Sequence, residues 1–158
     1  MLIDQVYREA TDFIEKINSM GKIPMSLGEL KLTKPIANPE NADLRKIELR
    51  DSSGLYFIVR PSGNVTYIGK ATKKNLHREL WGKLRTPLGE SNACKYPNTY
   101  WSKMKLGDAV TQELLEGKMR IAAFTLSPAS SCSLLEVYLQ TLCYATDGAL
   151  PCMNSQIG

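Results

Sequence analysis

The chain has 158 residues, 43% of them hydrophobic and 23% charged, with 20 Lys and Arg against 16 Asp and Glu for a formal charge of +4. That length suits one domain with its own core, and no apolar run nears the ~18 residues that a membrane span requires. The sequence from Met1 mixes acidic, basic and apolar residues without the apolar stretch and small-residue cleavage site of a secretory signal, so a soluble, cytoplasmic protein is expected. Cys94, Cys132, Cys143 and Cys152 form no CxxC pair, and one histidine is too few to complete a zinc site without nearly every thiol. Buried reduced thiols are the better expectation.

Ile3, Val6, Tyr7, Ala10, Phe13, Ile14 and Ile17 recur at spacings of three and four, which predicts an amphipathic helix over 3–19 that Gly21 ends. Residues 21–53 hold Pro24, Gly28, Pro35 and Pro39 and read as an irregular arm with a short strand near 46–50. The helix and arm, 1–53, are expected to pack on a core formed by 54–158. GLYFIVR and NVTYIG, both rich in aromatic and β-branched residues, flank the turn formers Pro61, Ser62, Gly63 and Asn64, which predicts a β-hairpin. A two- or four-residue connection sets Tyr67 opposite Ile58 and puts Tyr56 and Tyr67 on one face. A three-residue loop would set the tyrosines on opposite faces.

A helix over 75–85 follows, with Leu76, Leu80 and Leu84 as its buried stripe and Arg78 and Arg85 away from it. Residues 86–107 are rich in Pro, Gly, Ser and Asn with interleaved aromatics and read as a loop with a short helix near Trp101. Helix 109–116, strand 118–126 and a largely buried helix over 133–145, ended by Gly148 and Pro151, complete the chain. The fold class expected is α+β, a small antiparallel three-stranded sheet flanked by helices.

Charge is uneven along this order. Between residues 70 and 105 lie nine basic residues, Lys70, Lys73, Lys74, Arg78, Lys83, Arg85, Lys95, Lys103 and Lys105, against Glu79 and Glu90. Such a cluster in one domain suits a polyanion on one face, with Tyr96, Tyr100 and Trp101 as stacking or sugar-packing groups. A solvated lysine-rich surface accounts for the charge alone equally well.

The order strand, strand, helix, strand, helix, with GLY at 54–56, YIG at 67–69, Arg78, Glu136 and Asn154, resembles the GIY-YIG nuclease family. The resemblance covers residues 54–154. It implies hydrolysis of a DNA phosphodiester by a water molecule activated beside one divalent ion, Mg2+ or Mn2+. Carried over, Tyr56 resembles the tyrosine of the first motif and would be the general base, and Tyr67 resembles that of the second. Arg78 resembles the arginine on the scissile phosphate, Glu136 the metal-holding carboxylate, and Asn154 the amide near the end of the core. Lys70 follows YIG where some members carry a basic residue. Residue 82 is Gly, where many members have a histidine one helical turn after the arginine.

The chemistry is coherent. A phenol with a pKa of about 10 acts as a base near neutrality only where positive charge stabilises its phenolate, and Lys70, Arg78 and the metal are the available sources. One glutamate suffices to anchor an ion that prefers oxygen and keeps several waters. Lys73, Lys74, Arg85, Lys95, Lys103 and Lys105 are then candidate DNA contacts. Each residue also has a plainer reading. The tyrosines suit any half-buried strand, Arg78 and Lys70 suit a solvated surface, and Ser133 with Glu136 has the S-x-x-E spacing of a capping box. The ordered set favours a free-standing restriction-type endonuclease, with a DNA- or protein-binding module of the same fold as the alternative. Cleaving both strands with one centre per chain calls for a homodimer or for sequential nicks.

Overall fold

The structure is a computed structural model that describes residues 1–21, 24–33, 35, 49, 51–84, 86–87, 94–95, 101 and 106–158. The amphipathic run forms α1 (Ile3–Ser19), with Ile3, Val6, Ala10 and Ile14 buried. It ends where Gly21 takes φ +79 and donates its N–H to the Asn18 carbonyl, a left-handed position that glycine occupies without a steric penalty. Two-residue strands β1 (Ser26–Leu27) and β2 (Lys31–Leu32) follow. Then come β3 (Gly54–Val59), β4 (Val65–Ala71), α2 (Leu76–Leu84), β5 (Thr86–Pro87), β6 (Cys94–Lys95), α3 (Asp108–Leu115), β7 (Arg120–Ser127) and α4 (Ser131–Asp147). The β5–β6 pair lies in the segment expected to be loop. Of the strand expected near 46–50 and the helix expected near Trp101, most falls outside the described residues.

The α+β class is as expected, and the main sheet has five strands instead of three. β3 is central, antiparallel to β4 on one side and β7 on the other, and β1 and β2 both pair along the outer edge of β7. These two additions are only two residues long, too short to leave an alternating pattern in the sequence. Ile58 pairs with Tyr67 and Tyr56 with Gly69, so the two tyrosines share a face. The connection itself has three residues, since Val59 faces Val65 and the Arg60 N–H donates to the Asn64 carbonyl at 2.9 Å. The shared face comes instead from a register shift between Ile58 and Val59, where Thr66 Oγ1 donates to the Ile58 carbonyl at 3.0 Å.

Both faces of the sheet are covered, so β3 is buried along its whole length. Leu55, Phe57 and Ile68 pack with α1 and with Leu135 and Leu139 of α4. Tyr56, Ile58 and Ala123 pack with Leu76 and Leu80 of α2, Val110 and Leu114 of α3, and Trp101. Cys132 and Cys143 are buried free thiols as expected, whereas Cys152 is exposed because it sits in the irregular segment after Gly148 ends α4. Among the described residues no helix is long and apolar enough to cross a membrane.

Gly54 sits where β7 lies too near for a side chain on β3. A Cβ there would lie 2.0 Å from the Phe124 carbonyl oxygen and 2.9 Å from Thr125 Cα, and backbone cannot swing aside as a side chain can. Gly54→Ala is expected to lower unfolding free energy by about 1–3 kcal/mol or more. Gly82, in α2 with open space around its Cβ direction, is expected to gain about 0.5–1 kcal/mol as alanine. Urea unfolding midpoints of the two variants should therefore move in opposite directions.

Candidate functional site

The sequence-selected residues gather along the outer edge of β4, and they arrive from both faces of the sheet. Strand alternation turns Tyr67, Gly69 and Ala71 toward α2 and turns Ile68 and Lys70 toward α4. On the α2 face the Tyr56 and Tyr67 rings lie 5.9 Å apart between centroids at 38°. Both cover Gly69, where a Cβ would stand 2.6 Å from Tyr56 Cζ and 2.7 Å from Tyr67 Cε1. The glycine after Tyr67-Ile68 is thus required by the rings above it, since any side chain would displace them.

The two phenols differ in environment. Tyr56 is 2% exposed, and its phenol is pushed far above the ordinary tyrosine value, first by burial, then by the charge and hydrogen bond of Tyr67, then by the Glu79 and Glu136 carboxylates. The positive charges expected to stabilise its phenolate are engaged elsewhere or turned away. Lys70 is paired with Glu136, and Arg78 is exposed on α2 without a hydrogen bond or ion pair among the described residues. Tyr67 is half-buried, its ring edge-on to Trp101 at 5.2 Å, with Lys83 Nζ 5.7 Å from its centroid. Trp101 Nε1 donates to the Lys83 carbonyl at 2.5 Å, which fixes the last turn of α2 beside Tyr67.

On the other face, Glu136 is 5% exposed, and its Oε2 accepts from Lys70 Nζ at 2.5 Å. The capping-box reading fails here. α4 begins at Ser131 with no side-chain cap hydrogen bond, so Ser133 lies inside the helix and the Glu136 carboxylate reaches across to β4.

The third contribution comes from the segment after α4. Asn154 Oδ1 accepts from the Ile68 N–H and Asn154 Nδ2 donates to the Ile68 carbonyl, each at 2.9 Å, while the Met153 N–H donates to the Thr66 carbonyl at 2.8 Å. The side-chain amide therefore occupies the ladder positions that a further strand would take. Tyr67, Lys83, Glu136, Gln140 and Asn154 line one cavity of about 170 Å³ at this edge.

The remaining expectations separate clearly. Arg78 is not among the residues lining that cavity. Lys73 and Lys74 are exposed in the turn before α2, and Lys74, at φ +53, donates its backbone N–H to Ser53 Oγ at 3.0 Å. Lys74 lines a different cavity of about 350 Å³, with Ser26, Asp51 and Ser127. The Lys95 backbone is in β6; Arg85, Lys103 and Lys105, with Tyr96 and Tyr100, lie outside the described residues. Trp101 is 1% exposed, so it supports Tyr67 and is not available to stack on a base. The functional reading of the sequence counted Lys83 only within the basic cluster and passed over Gln140. Gln140 lies four residues after Glu136 in a mostly apolar helix, 1% exposed, with its Nε2 directed to the Ile68 carbonyl at 3.4 Å. Two polar residues at that spacing on a buried helical face are a usable sequence signal.

Among the described residues no group of three or more His, Cys, Asp or Glu side chains that could hold a metal ion comes together. The amide oxygens beside Glu136 are engaged, Asn154 Oδ1 by the Ile68 N–H and Gln140 Oε1 by the Gly158 N–H at 2.7 Å. Glu136 thus offers the one carboxylate, which fits an oxygen-preferring ion that keeps most of its waters. The Lys70 ammonium competes for the same carboxylate.

Because the folded-state pKa of Tyr56 is raised, its contribution to stability is complete below the unfolded value of about 10 and is lost as pH rises above it. Tyr56→Phe is expected to flatten the alkaline decline in unfolding free energy above about pH 10, and to leave the folded protein's phenolate absorbance near pH 11 unchanged. No protein-family model, no curated protein and no solved structure matches this chain.

Proposed function

We propose that the protein is a divalent-metal-dependent DNA endonuclease whose centre is the cavity at the outer edge of β4. The observation that carries this reading is the meeting of Tyr67, Glu136 and Asn154, distant in sequence, around one cavity, with Lys70 on the Glu136 carboxylate. A buried carboxylate beside a lysine, a phenol and two amides suits a phosphodiester better than a neutral substrate. The carboxylate holds a cation, and the ammonium and amide N–H groups hold phosphate oxygens.

Mg2+ or Mn2+, when bound, would supply charge at the phosphate and acidify a coordinated water, with Glu136 as its protein anchor. The chain's own groups supply the rest. Tyr67 is the phenol that faces the cavity, and Tyr56 stands behind it, protonated at neutral pH. For Tyr56 to take a proton from water, the negative charge of Glu136 has to be offset and positive charge brought to its ring. Lys70 has to leave Glu136 for an oxygen of the substrate, a movement of one flexible side chain at the sheet edge. Lys73, Lys74 and Arg78 are exposed in the turn after β4 and the first part of α2, and in this reading they meet the flanking backbone of the duplex outside the cavity.

Two features are shared by the alternative. The Lys70 to Glu136 pairing and the raised Tyr56 phenol describe a centre at rest, which a DNA- or protein-binding module without turnover would also show. Supercoiled plasmid and short labelled duplexes with Mg2+, Mn2+ or EDTA separate the two. The nuclease gives metal-dependent breaks that Glu136→Ala reduces by at least roughly 100-fold, beyond the usual cost of an outer metal partner, with the fold and DNA affinity retained. Salt-sensitive binding without product at any metal concentration identifies the silent module.

A further inference from the structure

We propose that Lys83, on the last turn of α2, contacts the phosphate bound at this centre, a part that the sequence resemblance gives to Arg78. The inference rests on the proposed nucleic-acid reading of the cavity, and it is carried by where the Lys83 side chain goes. Glu79 lies one helical turn before it, in the Glu-to-Lys orientation that favours an ion pair on a helix surface. That pair is not formed. Glu79 Oε1 accepts from Asn75 Nδ2 at 2.8 Å, and the Lys83 ammonium instead lies over the Tyr67 ring at 5.7 Å from its centroid.

There it lines the cavity with Glu136 and Asn154. No carboxylate pairs with Lys83 among the described residues, whereas the other lysine of the centre, Lys70, is neutralised by Glu136. Lys83 is also half-buried with its ammonium over the Tyr67 ring, so part of its side-chain freedom is already given up before binding. An unpaired, partly desolvated and pre-positioned cation in a cavity is the arrangement that binds an anion most economically. Arg78, exposed and outside the cavity lining, is left to meet the flanking backbone.

The test measures binding of a short duplex in EDTA over a series of salt concentrations, beside metal-dependent plasmid cleavage, for the wild type, Lys83→Met and Lys83→Arg. Removing a single lysine–phosphate interaction lowers the slope of log K against log salt by about one. The inference expects that reduction in Lys83→Met, restoration in Lys83→Arg and an unchanged melting temperature. With cleavage active, it also expects a fall in kcat in Lys83→Met. An unchanged slope and wild-type cleavage in Lys83→Met overturn it while leaving the nuclease reading standing. A lowered melting temperature with an unchanged slope also overturns it, by showing that Lys83 only packs on Tyr67. Absent cleavage with the slope change present removes the nuclease reading and keeps the phosphate interaction. No salt-sensitive binding by the wild type removes both.

Discussion

An open strand edge has to be satisfied. β4 ends the sheet on its side, and its N–H and C=O groups would otherwise face solvent or another chain's strand. Asn154 meets that requirement at Ile68 with a single side chain that donates and accepts at once, and the Met153 N–H does the same at Thr66. The centre depends on this closure. Because an amide and not a strand covers the edge, room remains beside it for a cavity that Tyr67 enters from one face and Glu136 from the other.

The two layers of core deliver these groups in different ways. On the α4 side, Glu136 is held by its lysine partner on a mostly apolar buried helix face of Leu135, Leu139 and Cys143 that also carries Gln140. A buried charge of this kind is costly unless paired, so Lys70 stabilises the carboxylate that it would have to release. On the α2 side the groups are aromatic, and their order is geometric: Trp101 against Tyr67, Tyr67 against Tyr56, and both tyrosines over Gly69. Burial holds Tyr56 in its neutral form in this arrangement.

What the sequence revealed followed from local chemistry. The hairpin was legible because Gly63 and its neighbours are turn formers and the flanking runs are β-rich, but the shared face of Tyr56 and Tyr67 was not fixed by the turn. Its three-residue register would set them apart, and the irregularity between Ile58 and Val59 brings them together. The long helices were legible from the spacing of Val6, Ala10 and Ile14 and of Leu135 and Leu139. The partners were not. Nothing local to Ser133 and Glu136 distinguishes a capping box from a carboxylate that reaches 66 residues back to Lys70. Trp101, set among polar residues, gave no sign of being buried. Nor did α2 reveal which of its cations faces the cavity, because that follows from how Trp101 holds its final turn beside β4.

The pairing of β3 with β4 carries a final consequence. A strand's side chains alternate with a period of two, so a slip of one residue in β4 would not merely misalign the centre. It would send Tyr67 to the α4 layer and Lys70 to the aromatic layer, trading a phenol for a cation on one side and a cation for a phenol on the other. The irregularity between Ile58 and Val59 confines the one-residue offset to the turn end and leaves Ile58 with Tyr67 and Tyr56 with Gly69 beyond it. The hairpin thus works as a parity device: whether the chain has an even or an odd offset there decides which chemistry each face of the sheet presents.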